Sequence, residues 1–301
     1  MILSLAGCLI IGVKMTALAA AAPEAATTEE TTTAATETPT VPADFTGIYN
    51  LQFYKNGKPV QLEGWKKYGD EYYFFKDNKA LTGWNYVKSL SGGKARYKYY
   101  FDKDGKLSQN LFKTFGAKIR RKKLKVFVNL TTHNITIYLY DKKKHAYNTP
   151  AKTWVCSTAR DGRSTTPGNF YLAKGTATAW FIYKKTDPYP YYQYKVKIRG
   201  TRMLFHSEMY SGTSKNRLIA STYNALGTNQ TTRCIRSQCG NAYLLYRIAK
   251  ENKNPIPVKI YRSKNKGPFG KKTLANSGGK INRGQRYDPT DPKFSGYKKV
   301  Y

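Results

Sequence analysis

The chain has 301 residues, which allows two modest domains joined by unstructured connectors. Its formal net charge at pH 7 is +34, and such an excess of basic residues indicates a polyanionic partner. Charge alone would favour nucleic acid, but the export signal predicted below argues against a nucleic-acid partner.

The N-terminus is predicted to be a secretory signal peptide over residues 1–22. An apolar stretch, Met1–Val13, is followed by Lys14 and by small residues that end at Ala22. This order is typical of the apolar and cleavage regions of a signal peptide, although a basic region before them is missing. The apolar run is too short for a comfortable transmembrane helix. A rival interpretation is a lipoprotein cleavage pattern with lipidation at Cys8, but only four residues precede that pattern. We expect a secreted, wall-associated protein that is at most peripheral to the membrane.

Residues 23–44 are predicted to form an extended linker. They are rich in Thr, Ala, Glu and Pro and contain few large apolar residues, so they cannot bury enough surface to fold. The first 44 residues carry five acidic residues and one basic residue, Lys14. The rest of the chain is therefore more basic than the whole.

Residues 45–115 repeat a phrase of roughly 20 residues. Turn residues lead twice to a Gly-Trp pair, and a third copy lacks the Trp; the three copies begin at Asn56-Gly57, Asp77-Asn78 and Asp104-Gly105. Aromatic runs at 72–75 and 97–101 lie between the turns. Aromatic strands separated by such turns predict β-hairpins, and each hairpin must stack on a neighbour to bury its face.

This pattern resembles the cell-wall-binding repeats of the choline-binding and glucan-binding type. The resemblance implies a stacked solenoid whose aromatic side chains form cages for choline or platforms for sugars. The candidate ligand-binding residues are Trp65, Trp84, Tyr73 and Tyr100. Alternatively, the same aromatic residues are simply the core of the solenoid.

The second half of the chain is predicted to be mainly β. A basic hinge is expected over residues 119–125. Runs rich in β-branched and aromatic residues then predict strands at 126–130, 134–140, 151–157, 169–173, 178–184, 191–198, 203–206 and 257–261. One helix is predicted, at 241–250.

Six short motifs follow one another between residues 125 and 270. They are Val128-Asn129-Leu130, Cys156-Ser157-Thr158, Thr165-Thr166-Pro167-Gly168-Asn169-Phe170, Phe205-His206-Ser207, Cys234-Ile235-Arg236 and Gly267-Pro268-Phe269-Gly270. In this order they resemble an L,D-transpeptidase catalytic domain of the YkuD type. The resemblance implies a YkuD-like β-sandwich over residues 120–262, with one helix after the catalytic cysteine, followed by a basic tail at 263–301.

The resemblance also implies a function. Such a domain attacks peptidoglycan stem peptides between residues three and four, and a cysteine thioester forms while the terminal D-Ala leaves. An amine of a neighbouring stem then gives a 3→3 crosslink, whereas water gives carboxypeptidase activity. No metal or organic cofactor is implied.

The site residues follow from these motifs. Cys234 would be the nucleophile, and its thiol needs a base or a lowered pKa. His206 would take the thiol proton and later protonate the leaving amine. The Ser207 region would hold the imidazole tautomer, and Arg236 would bind a substrate carboxylate or brace the loop. Backbone N–H groups around Cys234 would form the oxyanion hole.

The segment before the nucleophile departs from the family pattern. The family has Ser, His and Gly where this chain has Thr231, Thr232 and Arg233. The missing second His removes a polar group near the oxyanion hole. Arg233 lacks the conformational freedom of Gly, and its positive charge should favour the thiolate of Cys234.

Three further groups of residues are predicted to have structural or solvent-exposed roles rather than catalytic ones. His133 and His145 are expected to be structural or solvated. Three cysteines lie beyond Cys8, so they cannot all pair, and no spacing resembles a zinc site. Cys156 is either a buried small residue or a partner of Cys239. The lysine runs at 120–123 and 142–144 and the tail are expected to be solvated faces attracted to teichoic acid or other wall polyanions.

Three functions therefore compete: a secreted cysteine transpeptidase, a catalytically weak wall-binding protein, and a nucleic-acid binder. The predicted export signal makes the third the weakest, because its only support is charge.

Overall fold

The computed structural model describes residues 41–160, 163–175, 177–182 and 189–294, which belong to one compact unit. The predicted signal peptide, the lipidation site at Cys8 and nearly all of the predicted linker lie outside the described residues. So do the end of the predicted strand at 178–184 and the last seven residues of the tail. Within the described part, no helix is long and apolar enough to cross a membrane.

The first part of the described chain is built from short antiparallel strands. In chain order they are β1 (Gly47–Tyr49), β2 (Gln52–Lys55), β3 (Lys58–Pro59), β4 (Gly64–Tyr68), β5 (Glu71–Lys76), β6 (Lys79–Ala80), β7 (Gly83–Lys88) and β8 (Arg96–Phe101). One sheet has the order β1-β2-β6-β5-β4 with β3 paired to β2, and β7 and β8 form a separate hairpin.

The predicted turns close these hairpins. Asn56 and Gly57 connect β2 to β3 with φ values of 49° and 71°, and Asp77 and Asn78 connect β5 to β6 with 51° and 63°. Two successive positive φ values match the right-handed twist of a two-residue hairpin. Gly57 is also required by space, because a Cβ atom there would lie 2.7 Å from the Cα of Ala43.

The segment predicted to be a basic hinge, 119–125, is anchored at both of its ends. Two short helices, α1 (Leu111–Phe115) and α2 (Ala117–Arg120), lead directly into the next strand. Ile119 and Leu124 are buried in the main hydrophobic core, and Arg120 forms an ion pair of 2.8 Å with Glu251. These contacts fix the ends of the segment, whereas residues 121–123 remain exposed, as expected of a solvated basic run.

The remaining part of the chain contains the longer strands. They are β9 (Leu124–Asn129), β10 (Asn134–Asp141), β11 (Ala146–Val155), β12 (Thr158–Ala159), β13 (Gly168–Tyr171), β14 (Thr178–Ile182), β15 (Tyr191–Lys197), β16 (Leu204–His206), β17 (Asn229–Thr231), β18 (Ile235–Arg236) and β19 (Pro257–Tyr261). The helices are α3 (Ala220–Asn224) and α4 (Cys239–Glu251), with a short 3-10 helix at Lys215–Arg217. The predicted mainly β fold class, with a helix just after Cys234, is confirmed.

Two sheets share the main core with α4. One has the order β11-β10-β9-β19-β13 and the other β14-β15-β16-β18. Their inward-facing side chains and the apolar face of α4 form one buried cluster, which includes Val126, Ile135, Val196, Phe205, Leu245 and Val258. This cluster holds β16 and β18 in place, and those two strands carry the candidate catalytic residues.

The tail differs from the solvated face that was expected. Leu274 and Ile281 are buried in a second cluster with Tyr223, and Asp288 and Asp291 are fully buried. The tail contains widely spaced apolar and hydrogen-bonding residues among its lysines, and these dock onto the β domain while the charges remain outside.

Candidate active site

Cys234 and His206 are brought to one cavity by two parallel strands. In the register of β16 and β18, Phe205 lies opposite Ile235 and His206 lies opposite Arg236. Cys234 immediately precedes β18. Both residues line a cavity of about 210 Å³.

The His206 imidazole is held in one orientation. It is buried, and its Nδ1 lies 2.8 Å from the backbone oxygen of Ser207. A carbonyl can only accept, so Nδ1 carries the proton and Nε2 keeps its lone pair. The hydroxyl of Ser207 donates to the Glu208 carbonyl at 2.9 Å and accepts from the Gln193 amide at 2.8 Å. Ser207 thus fixes the imidazole through its backbone, while its side chain fixes that backbone.

Two aromatic rings enclose the imidazole. The Tyr192 and Phe181 ring centroids lie 4.3 and 5.5 Å from that of His206. Burial and, to a smaller extent, the neighbouring Arg236 guanidinium together lower the pKa of His206 to about 3. The imidazole is therefore neutral over the physiological range.

Cys234 is less activated than its sequence suggests. Burial raises the pKa of the Cys234 thiol, whereas the Leu204 backbone and the Arg236 and Arg233 guanidinium groups lower it. The predicted effect of Arg233 is present in its direction, but burial outweighs it. At neutral pH the cavity therefore holds a neutral thiol and a neutral imidazole.

Arg236 braces the floor of the cavity. Its side chain is largely buried, with Nη1 at 3.7 Å from Oε2 of Glu208 and the guanidinium 5.7 Å from the centre of the Tyr192 ring. Glu208 is fully buried, and burial raises the pKa of its carboxyl to about 7 although the Arg236 charge opposes the shift. Arg236 also lines the cavity, so bracing does not exclude contact with a ligand.

The segment at 231–233, directly before Cys234, forms one wall of the cavity. Thr232 is exposed and Arg233 half-buried, and Arg233 does not have a positive φ. Arg233 therefore carries no left-handed backbone strain. The Thr231 hydroxyl donates to the Cys234 carbonyl at 2.7 Å and shapes the turn that presents the thiol.

Sequence reasoning missed several residues of this site. Glu208 follows the His-Ser pair directly, and that adjacency was a usable signal. No sequence signal distinguished Tyr192 and Phe181, because they lie among the many aromatic residues of β15 and β14. Thr165 belongs to one of the six sequence motifs, but the motif did not predict its contact. Its hydroxyl donates to the Arg233 carbonyl at 3.2 Å.

The other two cysteines lie away from the cavity. Cys156, Cys234 and Cys239 are all free thiols in the structure. Cys156 is buried in the main core, whereas Cys239 begins α4 and packs in a separate cluster with Tyr194. Burial raises the pKa of both thiols. Cys156 therefore occupies the core as a small apolar residue.

The two remaining histidines sit at turns. His133 and His145 have φ values of 53° and 49°. His133 Nδ1 lies 3.2 Å from the hydroxyl of Thr158, and neither histidine lines the cavity with Cys234. Within the described ranges, no group of three or more His, Cys, Asp or Glu side chains is arranged to hold a metal ion.

The four aromatic candidates of the repeats do not form one cage. Trp84 is 42% exposed, and its ring centroid lies 5.1 Å from that of Tyr100 and 5.7 Å from that of Phe115, which stacks on it. Tyr73 is buried in a different cluster. The Trp65 indole donates to the Lys88 carbonyl at 2.9 Å and packs in the cluster that contains Tyr99. The structure thus joins Trp84 and Tyr100 at the surface and places Tyr73 and Trp65 in packing roles.

Comparisons with known proteins gave structural similarity only. No family model matches the chain, and no curated protein matches its sequence. Among solved structures, an L,D-transpeptidase from Mycobacterium tuberculosis H37Rv aligns with a TM-score of 0.35 and 13% identity over 66% of this chain and 76% of that one.

Two further structures align over less than half of this chain. An L,D-transpeptidase from Mycobacterium smegmatis aligns with a TM-score of 0.34 and 14% identity over 46% of this chain and 58% of that one. A fused Zn-dependent amidase/peptidase/peptidoglycan-binding domain-containing protein from Clostridium acetobutylicum ATCC 824 aligns with a TM-score of 0.32 and 21% identity. This alignment covers 46% of this chain and 52% of that one. The aligned region spans just over half the length of those two chains.

Proposed function

We propose that this protein is a cysteine acyltransferase that acts on peptidoglycan stem peptides, as an L,D-transpeptidase does. The observation that carries the proposal is the shared cavity of Cys234 and His206, in which the Nδ1 contact with Ser207 leaves Nε2 free to accept a proton. The sequence motifs around both residues support the substrate class.

Acylation begins from the neutral pair. As the Cys234 sulfur attacks the carbonyl carbon of the scissile peptide bond, its proton passes to Nε2 of His206. The low pKa of His206 means that the imidazolium exists only during the reaction, and the Ser207 carbonyl stabilises it through Nδ1–H. When the C–N bond breaks, Nε2 returns the proton to the leaving amine, and the thioester remains.

Deacylation runs the same steps in reverse. An acceptor amine or a water molecule loses a proton to His206 as it attacks the thioester carbonyl, and the Cys234 thiol is regenerated. The oxyanion would be held by backbone N–H groups of the turn at 231–234, which Thr231 shapes through its bond to Cys234.

Intact-mass spectrometry tests the proposal. The purified protein is mixed with a disaccharide-tetrapeptide, beside the Cys234→Ala variant. We expect a transient adduct equal to the substrate minus D-Ala in the wild-type protein and none in the variant. Reduced, folded protein that gives neither an adduct nor D-Ala release contradicts the proposal.

Two observations favour a second candidate, a wall-binding protein with little catalytic power. The raised pKa of Cys234 leaves little thiolate, and the exposed Trp84 ring offers a stacking surface for a ligand. In this alternative the folded protein still sediments with purified wall when Cys234 is replaced, and neither form releases D-Ala.

Secretion, wall association and attraction to teichoic acid complete the proposal. They rest on the N-terminal sequence and on the net charge of +34. Sedimentation with wall before and after removal of its anionic polymers separates polyanion binding from binding by the repeats, since only the former falls steeply with added salt.

A further inference from the structure

A second cavity adjoins the one that holds Cys234 and is lined by three arginines. It has a volume of about 560 Å³, and Arg163, Arg202 and Arg233 lie on its walls. Arg202 and Arg233 also line the cavity of the thiol. The two cavities are thus adjacent, with these two side chains at their common boundary.

The three guanidinium groups have no acidic partners in the described part of the chain. None of them forms an ion pair with a described residue, and no described Asp or Glu lines either cavity. Like charges that line one cavity repel one another, and a bound anion relieves that repulsion.

The segments that carry these arginines are tied together. The Thr165 hydroxyl accepts from the Ala159 amide at 3.0 Å and donates to the Arg233 carbonyl at 3.2 Å, which joins the Arg163 loop to the turn before Cys234. In the turn that carries Arg202, the Thr201 hydroxyl donates to Ile198 at 3.0 Å and accepts from the Met203 amide at 3.0 Å. The backbones are therefore positioned before any ligand arrives.

The rest of the lining suits a peptide rather than a bare ion. Phe170 and the buried Met203 supply an apolar surface, and the hydroxyl of Thr166 lies on the same wall. The planar fork of Arg matches a carboxylate, with two parallel N–H···O bonds. A chain that reaches from this cavity to Cys234 would carry its carboxylate and its reacting carbonyl on one molecule.

We propose that this arginine-lined cavity is a substrate subsite that binds a free carboxylate of the peptide whose carbonyl reacts with Cys234. The inference rests on the proposed function for the reaction itself. It adds a chemical requirement, because a peptide with its carboxylates converted to amides would lose this contact.

Binding is measured by calorimetry in the full chain with Cys234→Ala, which prevents turnover. The probes are a stem tetrapeptide with free carboxylates and the same peptide with those carboxylates amidated. We expect the first to bind at least about tenfold more tightly, and Arg163→Gln and Arg202→Gln each to remove about tenfold from its affinity alone. Arg202→Lys, which keeps the charge and loses the fork, should be intermediate.

Arg199→Gln is the matched control, because Arg199 is an exposed arginine that lines neither cavity. This substitution should change the affinity for each peptide probe by no more than about twofold, the effect expected from the loss of one distant charge. Equal binding of the two probes, or equal losses in Arg199→Gln and Arg202→Gln, overturns the inference. A phosphodiester oligomer that displaces the peptide at the same concentration as the peptide itself would assign the cavity to a wall polymer and also overturn it.

The two proposals fail separately. If wild-type protein forms no thioester but the carboxylate preference depends on Arg163 and Arg202, the acyltransferase proposal fails and the subsite stands. If the thioester forms and both probes acylate Cys234 with equal kcat/KM, the subsite alone fails.

Discussion

The carboxylate of Asp288 accepts a hydrogen bond from the backbone N–H of Cys239 at 2.6 Å, across 49 residues of sequence. Cys239 is the first residue of α4, so an acidic side chain of the tail caps the helix that follows Cys234. The Thr290 hydroxyl accepts from the next amide, Gly240, at 2.9 Å. The residue at the usual capping position, Gln238, provides no such bond from its own side chain. The tail therefore supplies the helix cap that the residues next to α4 do not provide.

Replacement of Asp288 should destabilise the fold. We expect Asp288→Ala to lower the free energy of unfolding by about 1–3 kcal/mol, because it removes a helix cap and leaves a buried N–H unpaired. Denaturant unfolding followed by circular dichroism measures the change. Asp288→Asn keeps an acceptor and should lose less; an equal loss in both variants would contradict a capping role.

Glu208 should make the folded protein less stable as the pH rises from about 4.5 to 7. Burial raises the pKa of this carboxyl from 4.5 to about 7, so the folded protein holds a proton that the unfolded chain has released. Its contribution is present below about pH 4.5 and is lost as the pH rises towards 7. We expect Glu208→Gln to abolish that loss, so that stability relative to wild type increases from pH 4.5 to 7, as measured by denaturant midpoints.

His206 should act in the opposite direction over a lower range. Burial lowers its pKa from 6.5 to about 3, so only the unfolded chain is protonated between these values. The resulting stability is present above pH 6.5 and is lost as the pH falls towards 3. In His206→Gln the free energy of unfolding, measured by denaturant unfolding, should fall less steeply from pH 6.5 to 3 than in the wild-type protein. An unchanged slope would show that the imidazole is not desolvated in solution.

Alkylation should show that Cys234 rests as a thiol. Since burial raises its pKa, the rate of reaction with iodoacetamide at neutral pH should be lower than that of a free cysteine and should rise with pH beyond 9. Arg233→Gln removes a charge that favours the thiolate and should slow alkylation further at fixed pH, whereas Arg233→Lys should not. Mass spectrometry after tryptic digestion assigns the modified site among the three free thiols.

Two aromatic substitutions should separate packing from binding in the repeats. Tyr73 is buried, so Tyr73→Ala should cost about 3–5 kcal/mol of stability by analogy with other large aromatic truncations. Trp84 is 42% exposed, so Trp84→Ala should cost less while it reduces retention on purified wall. Wild-type retention in Trp84→Ala would remove the wall-binding role from this surface.

The local pattern of the chain determined much of the fold. Alternating β-branched and aromatic residues predicted the strands of both sheets to within a few residues for β9, β10, β15 and β19, because side-chain direction in a strand depends only on sequence position. The turn residues at 56–57 and 77–78 predicted hairpins for a similarly local reason, since they tolerate positive φ. Cys234, His206 and Ser207 were likewise predicted from short motifs.

Only the tertiary structure decided what surrounds those residues. The pKa shifts of Cys234 and His206 come mainly from burial, which depends on how the sheets close over the cavity. The Arg236–Glu208 pair and the Asp288–Cys239 cap join segments 28 and 49 residues apart, so no local pattern shows them. The same holds for the tail: its charges predicted solvation, but a few spaced apolar side chains are buried against the rest of the domain. Sequence by itself therefore determined which elements and reactive groups exist, and long-range packing decided their protonation, their partners and the cavities they face.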